Sequence, residues 1–245
     1  MQTPLTNIYG TKTSDGAKIL DAIFISLFFL SICWAVFVMD EYLGYRMNQY
    51  GMFPRDLEGL RGIFTMHFIH GNLEHIWHNT LGFLVLNSFL FYFYRTISIR
   101  VFLFTFFVSG IMLWLIGRPT YHIGASMLLY AQFSFLFFSG LIRKNPQMMR
   151  VSLIVALYYG SLVWYLFPID PKVSWEGHLS GFLAGIIAVF AYRKVGPQRK
   201  VYQYELEPDE EEVEELTSST SPASPTLEYP QTHHPLPPES KSQRD

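Results

Sequence analysis

The feature that most constrains the fold is an apolar run of 21 residues near the start of the chain, from Ile19 to Met39. A helix rises about 1.5 Å per residue, so a run of this length crosses a hydrocarbon core of roughly 30 Å. The run is too long for the apolar segment of a signal peptide, and no small-X-small cleavage pattern follows it before Asp40. We therefore expect a retained transmembrane helix.

Five further apolar stretches follow, separated by breaks that contain proline or charged residues. The six predicted spans are residues 19–39, 75–94, 101–116, 125–142, 151–167 and 178–192. If the N-terminus is cytoplasmic, eleven Lys and Arg residues flank the spans on the cytoplasmic side and five on the other side. Because this bias sets orientation, we predict an all-α, polytopic bundle with both termini cytoplasmic.

Composition divides the chain into three predicted parts. Residues 1–18 form an N-terminal cytoplasmic segment, residues 19–192 a six-helix membrane domain, and residues 193–245 an acidic, proline-rich cytoplasmic tail that we expect to be disordered. The first loop, at residues 40–74, is rich in aromatic residues, so we expect it to fold against or partly into the outer leaflet. The single cysteine, Cys33, excludes an intrachain disulfide.

Four polar residues lie near the outer ends of the second, fourth and sixth spans. His75 and Asn79 open the second span four residues apart, so they share one helix face. Ser126 opens the fourth span and His178 the sixth. In the predicted topology these three spans all run from outside to inside, which brings the four side chains to a similar depth. Polar side chains are costly in a membrane, so this convergence indicates a functional site.

These residue types supply what acyl transfer needs. A serine hydroxyl becomes a nucleophile when a base takes its proton, and histidine is the usual base near neutral pH. The oxyanion needs preorganised donors, which an asparagine amide, an imidazole N–H and a backbone N–H provide. Gly181 and Gly185 follow His178 as a stripe of small residues that lets the fourth span approach closely. Tyr130 lies one turn after Ser126, on the same face, and we expect it to stack under the imidazole.

The sequence around these residues resembles the rhomboid intramembrane serine proteases. The matching motifs are HIWHN in the second span, GAS at the head of the fourth and GHLSGFLAG in the sixth. The stretch FTMHFIHGNLEH is similar to the family's histidine-containing approach to the second span. The resemblance covers about residues 19–192.

The resemblance implies a role for each residue of the candidate site. Ser126 would be the nucleophile and His178 its base, with His75 and Asn79 as oxyanion donors. Tyr130 would pack against the catalytic histidine. In the same way, Gly181 and Gly185 would be the family's GxxxG pair, which packs helices together.

Two positions depart from the family pattern. The common GxSG motif ends here in Met127, so GASM keeps only its first part. The Trp-Arg pair often found in the first loop appears as Leu60-Arg61. A bulky residue beside the nucleophile could alter the oxyanion pocket, so Met127 needs a structural explanation.

Several alternatives compete with a serine protease. A serine at a membrane helix interface is often only a packing residue. Four histidines form a loose cluster that could suit zinc, namely His67, His70, His75 and His78. An HExxH motif is missing, because Leu73 stands before Glu74 where its first histidine would be, so we expect neither a metal nor another cofactor. A transporter would carry charged residues within its spans, and the spans of this chain contain almost none.

A catalytically inactive rhomboid-like protein that escorts transmembrane segments would typically lack the serine or the histidine. Both residues are present here, which favours activity.

The sequence thus predicts a hydrolase, a serine-type endopeptidase that cleaves transmembrane segments of membrane proteins. Its expected partners are those substrates and the lipid bilayer, and it is not expected to bind nucleic acid. We expect a multi-pass protein of the cell membrane whose active site opens to the non-cytoplasmic side. The first loop and residues 168–174 would shape access. His122, in the loop near the site, receives no role.

Overall fold

The computed structural model describes residues 14–199, and most of the predicted N-terminal segment and tail lies outside them. Its α-helices are α1 (Asp15–Leu43), α2 (Gly62–Thr65), α3 (Leu73–Phe93), α4 (Ser98–Ile116), α5 (Ser126–Arg143), α6 (Pro146–Tyr159) and α7 (Trp175–Tyr192). A 3₁₀ helix, Gly160–Leu166, follows α6. The prediction of an all-α protein is confirmed for the described residues, where the β pairing consists of one isolated bridge between Met52 and His122.

Four helical segments among the described residues are long and apolar enough to cross a membrane. They are α1, α4, α5 and Pro146–Leu166, which joins α6 to the 3₁₀ helix. The helices α3 and α7 lie at the predicted second and sixth spans, but the polar residues in their first turns lower their mean hydropathy. The chain therefore has several membrane-spanning candidates, and the count of six stays a prediction.

Local sequence signals explain where the helices begin and end. Ser14, Asn72 and Asn145 each accept a backbone N–H from the first turn of the helix that follows, namely α1, α3 and α6. Pro146 follows Asn145 at a position where a missing N–H costs nothing. Gly44 ends α1 in the left-handed conformation, with φ of 71°, which glycine adopts without strain.

The helix α5 lies at the centre of the bundle. It packs against α3, α6 and α7, whereas α1 packs mainly against α3. A buried polar chain links three helices: Gln132 Nε2 donates to Asn87 Oδ1 at 2.7 Å, and Asn87 Nδ2 donates to Ser26 Oγ at 2.9 Å. Sequence reasoning did not single out these residues, which join α5 to α3 and α3 to α1.

The loop between α1 and α3 is folded, as its aromatic content led us to expect. It contains α2 and short 3₁₀ turns, and it buries Met52 and Met66. Met52 exchanges two backbone hydrogen bonds with His122, at 3.0 and 2.8 Å. Arg55 donates from its backbone N–H to Trp114 O at 3.0 Å. These bonds fix the loop onto the end of α4 and onto the segment that precedes α5.

Candidate active site

Ser126 is the first residue of α5, and the backbone before it has a special conformation. Gly124 has φ of 113°, which strains any residue with a Cβ. Its N–H donates to Met66 O at 2.8 Å, which ties this turn to the first loop. A Cβ at Gly124 would lie 2.6 Å from His75 Nε2 and 3.5 Å from Asn79 Nδ2. The turn therefore needs glycine both for its conformation and because the His75 ring leaves no room for a Cβ.

His178 lies within hydrogen-bond distance of Ser126. Its Nε2 is 3.1 Å from Ser126 Oγ, and its Nδ1 is 3.0 Å from the carbonyl oxygen of Tyr165. A carbonyl oxygen can only accept, so Nδ1 carries a proton and donates it to Tyr165 O. In the neutral ring, the Nε2 lone pair then faces the serine hydroxyl, which is the tautomer a general base requires. A backbone carbonyl thus orients this imidazole, whereas in the Ser-His-Asp triad of serine proteases a carboxylate does so.

Tyr130 fixes the plane of the His178 ring. The two rings are stacked, with centroids 4.2 Å apart and an angle of 12° between their planes. The Tyr130 hydroxyl donates to Leu162 O at 3.0 Å. Leu162 and Tyr165 both belong to the 3₁₀ helix after α6. One short segment therefore holds both the imidazole and the ring beneath it.

The glycines of α7 allow α5 and α7 to touch through their backbones. A Cβ at Gly181 would overlap the carbonyl oxygen of Met127, and a Cβ at Gly185 would overlap the carbonyl of Ala131 and the hydroxyl of Ser134. All three neighbours lie on α5. This close approach brings the first turn of α7, with His178, to the first turn of α5.

His75 and Asn79 lie on one face of α3, beside the turn that leads to Ser126. Asn79 is buried, and its Nδ2 has no hydrogen-bond partner among the described residues. A buried amide N–H without a partner costs free energy, of the order of 1–3 kcal/mol. Such a donor is placed to bind an oxyanion that forms only during a reaction.

Comparison with known proteins adds a finding independent of this geometry. Residues 58–195 match the model of the rhomboid domain. The match extends over more than half of the chain and contains Ser126, His178, His75 and Asn79. The chain belongs to the rhomboid family.

Similar proteins occur in mycobacteria. The rhomboid chain is 31% identical over 183 residues to the uncharacterized proteins Rv1337 of Mycobacterium tuberculosis and Mb1372 of Mycobacterium bovis. These alignments cover 71% of this chain and 75% of each relative. The uncharacterized protein ML1171 of Mycobacterium leprae is 29% identical over 184 residues, with 71% and 72% covered. The names of these relatives assign no activity.

Met127, which departs from the rhomboid GxSG pattern, points away from the candidate site. Its side chain is buried in a cluster with Met52, Met66 and Leu113. The cluster lies between the start of α5, the first loop and the end of α4. The extra side chain therefore fills space beneath the loop instead of crowding the candidate oxyanion donors.

The histidines of the first loop and of the start of α3 take different positions in this rhomboid-family chain. His70 accepts the N–H of Ala125 through Nε2 at 3.4 Å and donates from Nδ1 to Phe68 O at 3.3 Å, so it supports the turn before Ser126. Burial lowers the pKa of His70 to about 3, which keeps the ring neutral. His67 is buried against the Phe106 ring, with centroids 4.1 Å apart, whereas His78 is exposed. Within residues 14–199, no three His, Cys, Asp or Glu side chains are grouped as ligands of a metal ion.

Proposed function

We propose that this rhomboid-family protein is an intramembrane serine endopeptidase that cleaves transmembrane segments of membrane proteins. The observation that carries the proposal is the pairing of Ser126 Oγ with His178 Nε2 at 3.1 Å, in a ring whose Nδ1 donates to Tyr165 O. A serine that served only for packing would need no histidine oriented as a base. The stacked Tyr130 ring supports the same interpretation, because it fixes the plane of the imidazole.

The geometry supports a two-step reaction. Ser126 Oγ attacks the carbonyl carbon of the scissile bond while His178 Nε2 takes the hydroxyl proton. The carbonyl oxygen becomes an oxyanion that accepts hydrogen bonds from Asn79 Nδ2–H, from the His75 ring and from a backbone N–H. When the C–N bond breaks, His178 returns its proton to the departing amine and an acyl-serine remains. Water then attacks the ester carbonyl while His178 takes its proton, and His178 passes that proton to Ser126 Oγ as the C–O bond breaks, which releases the second product and regenerates the serine.

The position of Ser126 and His178, the proposed catalytic dyad, supports the substrate class in this proposal. Both residues are in the first turns of helices that form the bundle core, so a substrate reaches them at membrane depth. A peptide bond within an intact helix hides its carbonyl in hydrogen bonds. We therefore propose that substrates carry small residues at the cut and residues that destabilise the helix nearby. The first loop and residues 168–174 would control access.

We further propose a topology of six spans with both termini cytoplasmic. The helices α3 and α7 supply the second and sixth spans, because they lie in the bundle beside α5 although their first turns are polar. The positive charges then favour an active site that opens to the non-cytoplasmic side of the cell membrane. The proposed parts remain residues 1–18, 19–192 and 193–245, with the bundle in the middle part.

Proteolysis can be measured with purified protein in liposomes that also contain a model substrate with one transmembrane helix. We expect the wild type to cleave the substrate and both Ser126→Ala and His178→Ala to lose this cleavage. Ser109→Ala is a matched control, since this buried serine of α4 donates to the carbonyl of Thr105 in its own helix. A wild type that binds the substrate without cutting it would instead support the inactive, escorting kind of rhomboid-like protein.

A further inference from the structure

Four polar side chains connect the loop before α5 to the start of α7, on the side away from the dyad. Arg118 and His122 lie in the loop that leads to Ser126, and Ser174 and Glu176 lie at the start of α7. We call these four residues the polar clasp. His122 and Glu176 are each 3% exposed, so their polar atoms depend on neighbouring protein groups for partners.

The first half of the clasp is a chain of hydrogen bonds with a defined direction. His122 Nε2 lies 3.0 Å from the carbonyl oxygen of Arg118, so Nε2 carries the proton. In the neutral ring, Nδ1 then accepts from the Ser174 hydroxyl at 2.6 Å. Ser174 Oγ in turn accepts the N–H of Gly177 at 3.2 Å and so caps α7. Burial lowers the pKa of His122, which favours the neutral ring that this chain needs.

The second half of the clasp is a charged pair. Arg118 Nε lies 3.6 Å from Glu176 Oε1, and Arg118 Nη2 donates to the carbonyls of Pro171 and Val173 at 2.9 and 2.8 Å. Glu176 Oε2 has no hydrogen-bond partner among the described residues. The buried carboxylate of Glu176 therefore depends on the Arg118 guanidinium for its stabilisation. Removing either side chain would leave a buried charge without its partner, which is strongly destabilising.

The loop held by the clasp is already fixed on its other side. The backbone of His122 pairs with Met52, and Gly124 donates to Met66 O. The clasp therefore fastens the start of α7 to a segment whose position is set by the first loop. That segment ends at Ser126, four residues after His122.

The clasp and the dyad use opposite faces of α7. Residues two apart on a helix differ by about 200° in direction, so Glu176 faces the loop while His178 faces α5. We propose that Arg118, His122, Ser174 and Glu176 are positioning residues that hold the His178 ring against Ser126 by clamping the first turn of α7 to the loop before the nucleophile. This inference rests on the proposed protease function and assigns a role to His122 and Glu176.

The test measures kcat and KM separately for cleavage of a model substrate in liposomes. Glu176→Gln and Ser174→Ala are expected to lower kcat by about 10- to 100-fold, as a small displacement of a catalytic group does, with KM within about twofold. Ser174→Thr keeps the hydroxyl and should restore most of the rate. Matched controls are Glu41→Gln and Ser31→Ala on exposed positions of α1, which should leave both constants unchanged.

A purely structural role for the clasp would give a different pattern. The melting temperature would then fall in Ser174→Ala, while kcat measured well below that temperature would equal the wild-type value, and this result would overturn the proposal. Unchanged kcat in Glu176→Gln would overturn it as well.

A second measurement separates failure of the clasp from failure of the protease proposal. Spectra of protein with ¹⁵N-labelled histidine rings report the tautomer and surroundings of His178 without any turnover. Even if the wild type cleaves nothing, Ser174→Ala and Glu176→Gln should move the His178 ring signals, and Ser31→Ala should not. Ring signals of His178 that stay unchanged in both clasp variants would refute the positioning role.

Discussion

The contact between α5 and α7 at Gly181 makes a quantitative prediction for Gly181→Ala. A Cβ at this position would lie 2.9 Å from the carbonyl carbon and 3.2 Å from the Cα of Met127, and nearer still to the carbonyl oxygen. Non-bonded carbon atoms prefer separations of about 3.5–4.0 Å. The obstructing atoms belong to the backbone and cannot rotate away, so the two helices must move apart by about 1 Å, since interiors are close-packed.

That displacement acts directly on the dyad. The distance between Ser126 Oγ and His178 Nε2, now 3.1 Å, would rise toward about 4 Å, which is too long for a hydrogen bond. We expect a loss of about 100-fold in reactivity, the size typical of a 1 Å misplacement. Overpacking should also lower the free energy of unfolding by about 1–3 kcal/mol.

The assay is the rate at which a fluorophosphonate labels the protein, measured well below the melting temperature so that instability does not contribute. Gly16→Ala in the first turn of α1 is the matched control, because the nearest atom to its Cβ would be Ser14 Oγ at 3.9 Å. We expect Gly16→Ala to label like the wild type. If Gly181→Ala also labels at the wild-type rate, the close approach of α5 and α7 does not position Ser126 and His178.

Three further predictions concern the surroundings of the dyad. Asn79→Ala should lower the initial rate of substrate cleavage by about 10- to 1,000-fold while the protein stays folded, because one oxyanion donor is lost; an unchanged rate would remove Asn79 from the site. Met127→Ala should destabilise the protein to chemical unfolding by about 2–5 kcal/mol, as loss of a buried side chain does, while the rate per folded molecule stays near wild type; a gain in rate would place this side chain in the oxyanion pocket. A chelator should leave cleavage unchanged, and a loss that zinc reverses would contradict a metal-free mechanism.

The sequence predicted the helices well because apolar runs and their breaks carry that information directly. It also brought Ser126 and His178 to the same depth, since the order and direction of the spans determine which ends meet. The structure adds the distance of 3.1 Å between Ser126 Oγ and His178 Nε2 and the tautomer of the His178 ring. Those depend on how closely α5 and α7 pack, which the small-residue stripe at Gly181 and Gly185 indicates but does not measure.

Other parts of the site leave little trace in the sequence. The carbonyl of Tyr165 orients His178, and any residue type supplies a backbone carbonyl. The Met127 side chain points away from the candidate site because it packs with Met52 and Met66 of the first loop. The sequence does not show against which side of α5 that loop lies. Asn87 and Gln132 could have been recognised as amides at membrane depth, a signal of the same kind as Asn79. The clasp between His122 and Ser174 joins residues 52 positions apart that share no motif.

The central claim is that Ser126 is a nucleophile activated by His178, and covalent labelling tests it most directly. The purified protein would be treated with a fluorophosphonate in detergent, digested, and analysed by mass spectrometry to locate the adduct. We expect an adduct on Ser126 in the wild type, loss of labelling in Ser126→Ala, and a large decrease in the labelling rate in His178→Ala. A wild type that labels no faster than Ser126→Ala would show that His178 does not activate Ser126 as a nucleophile.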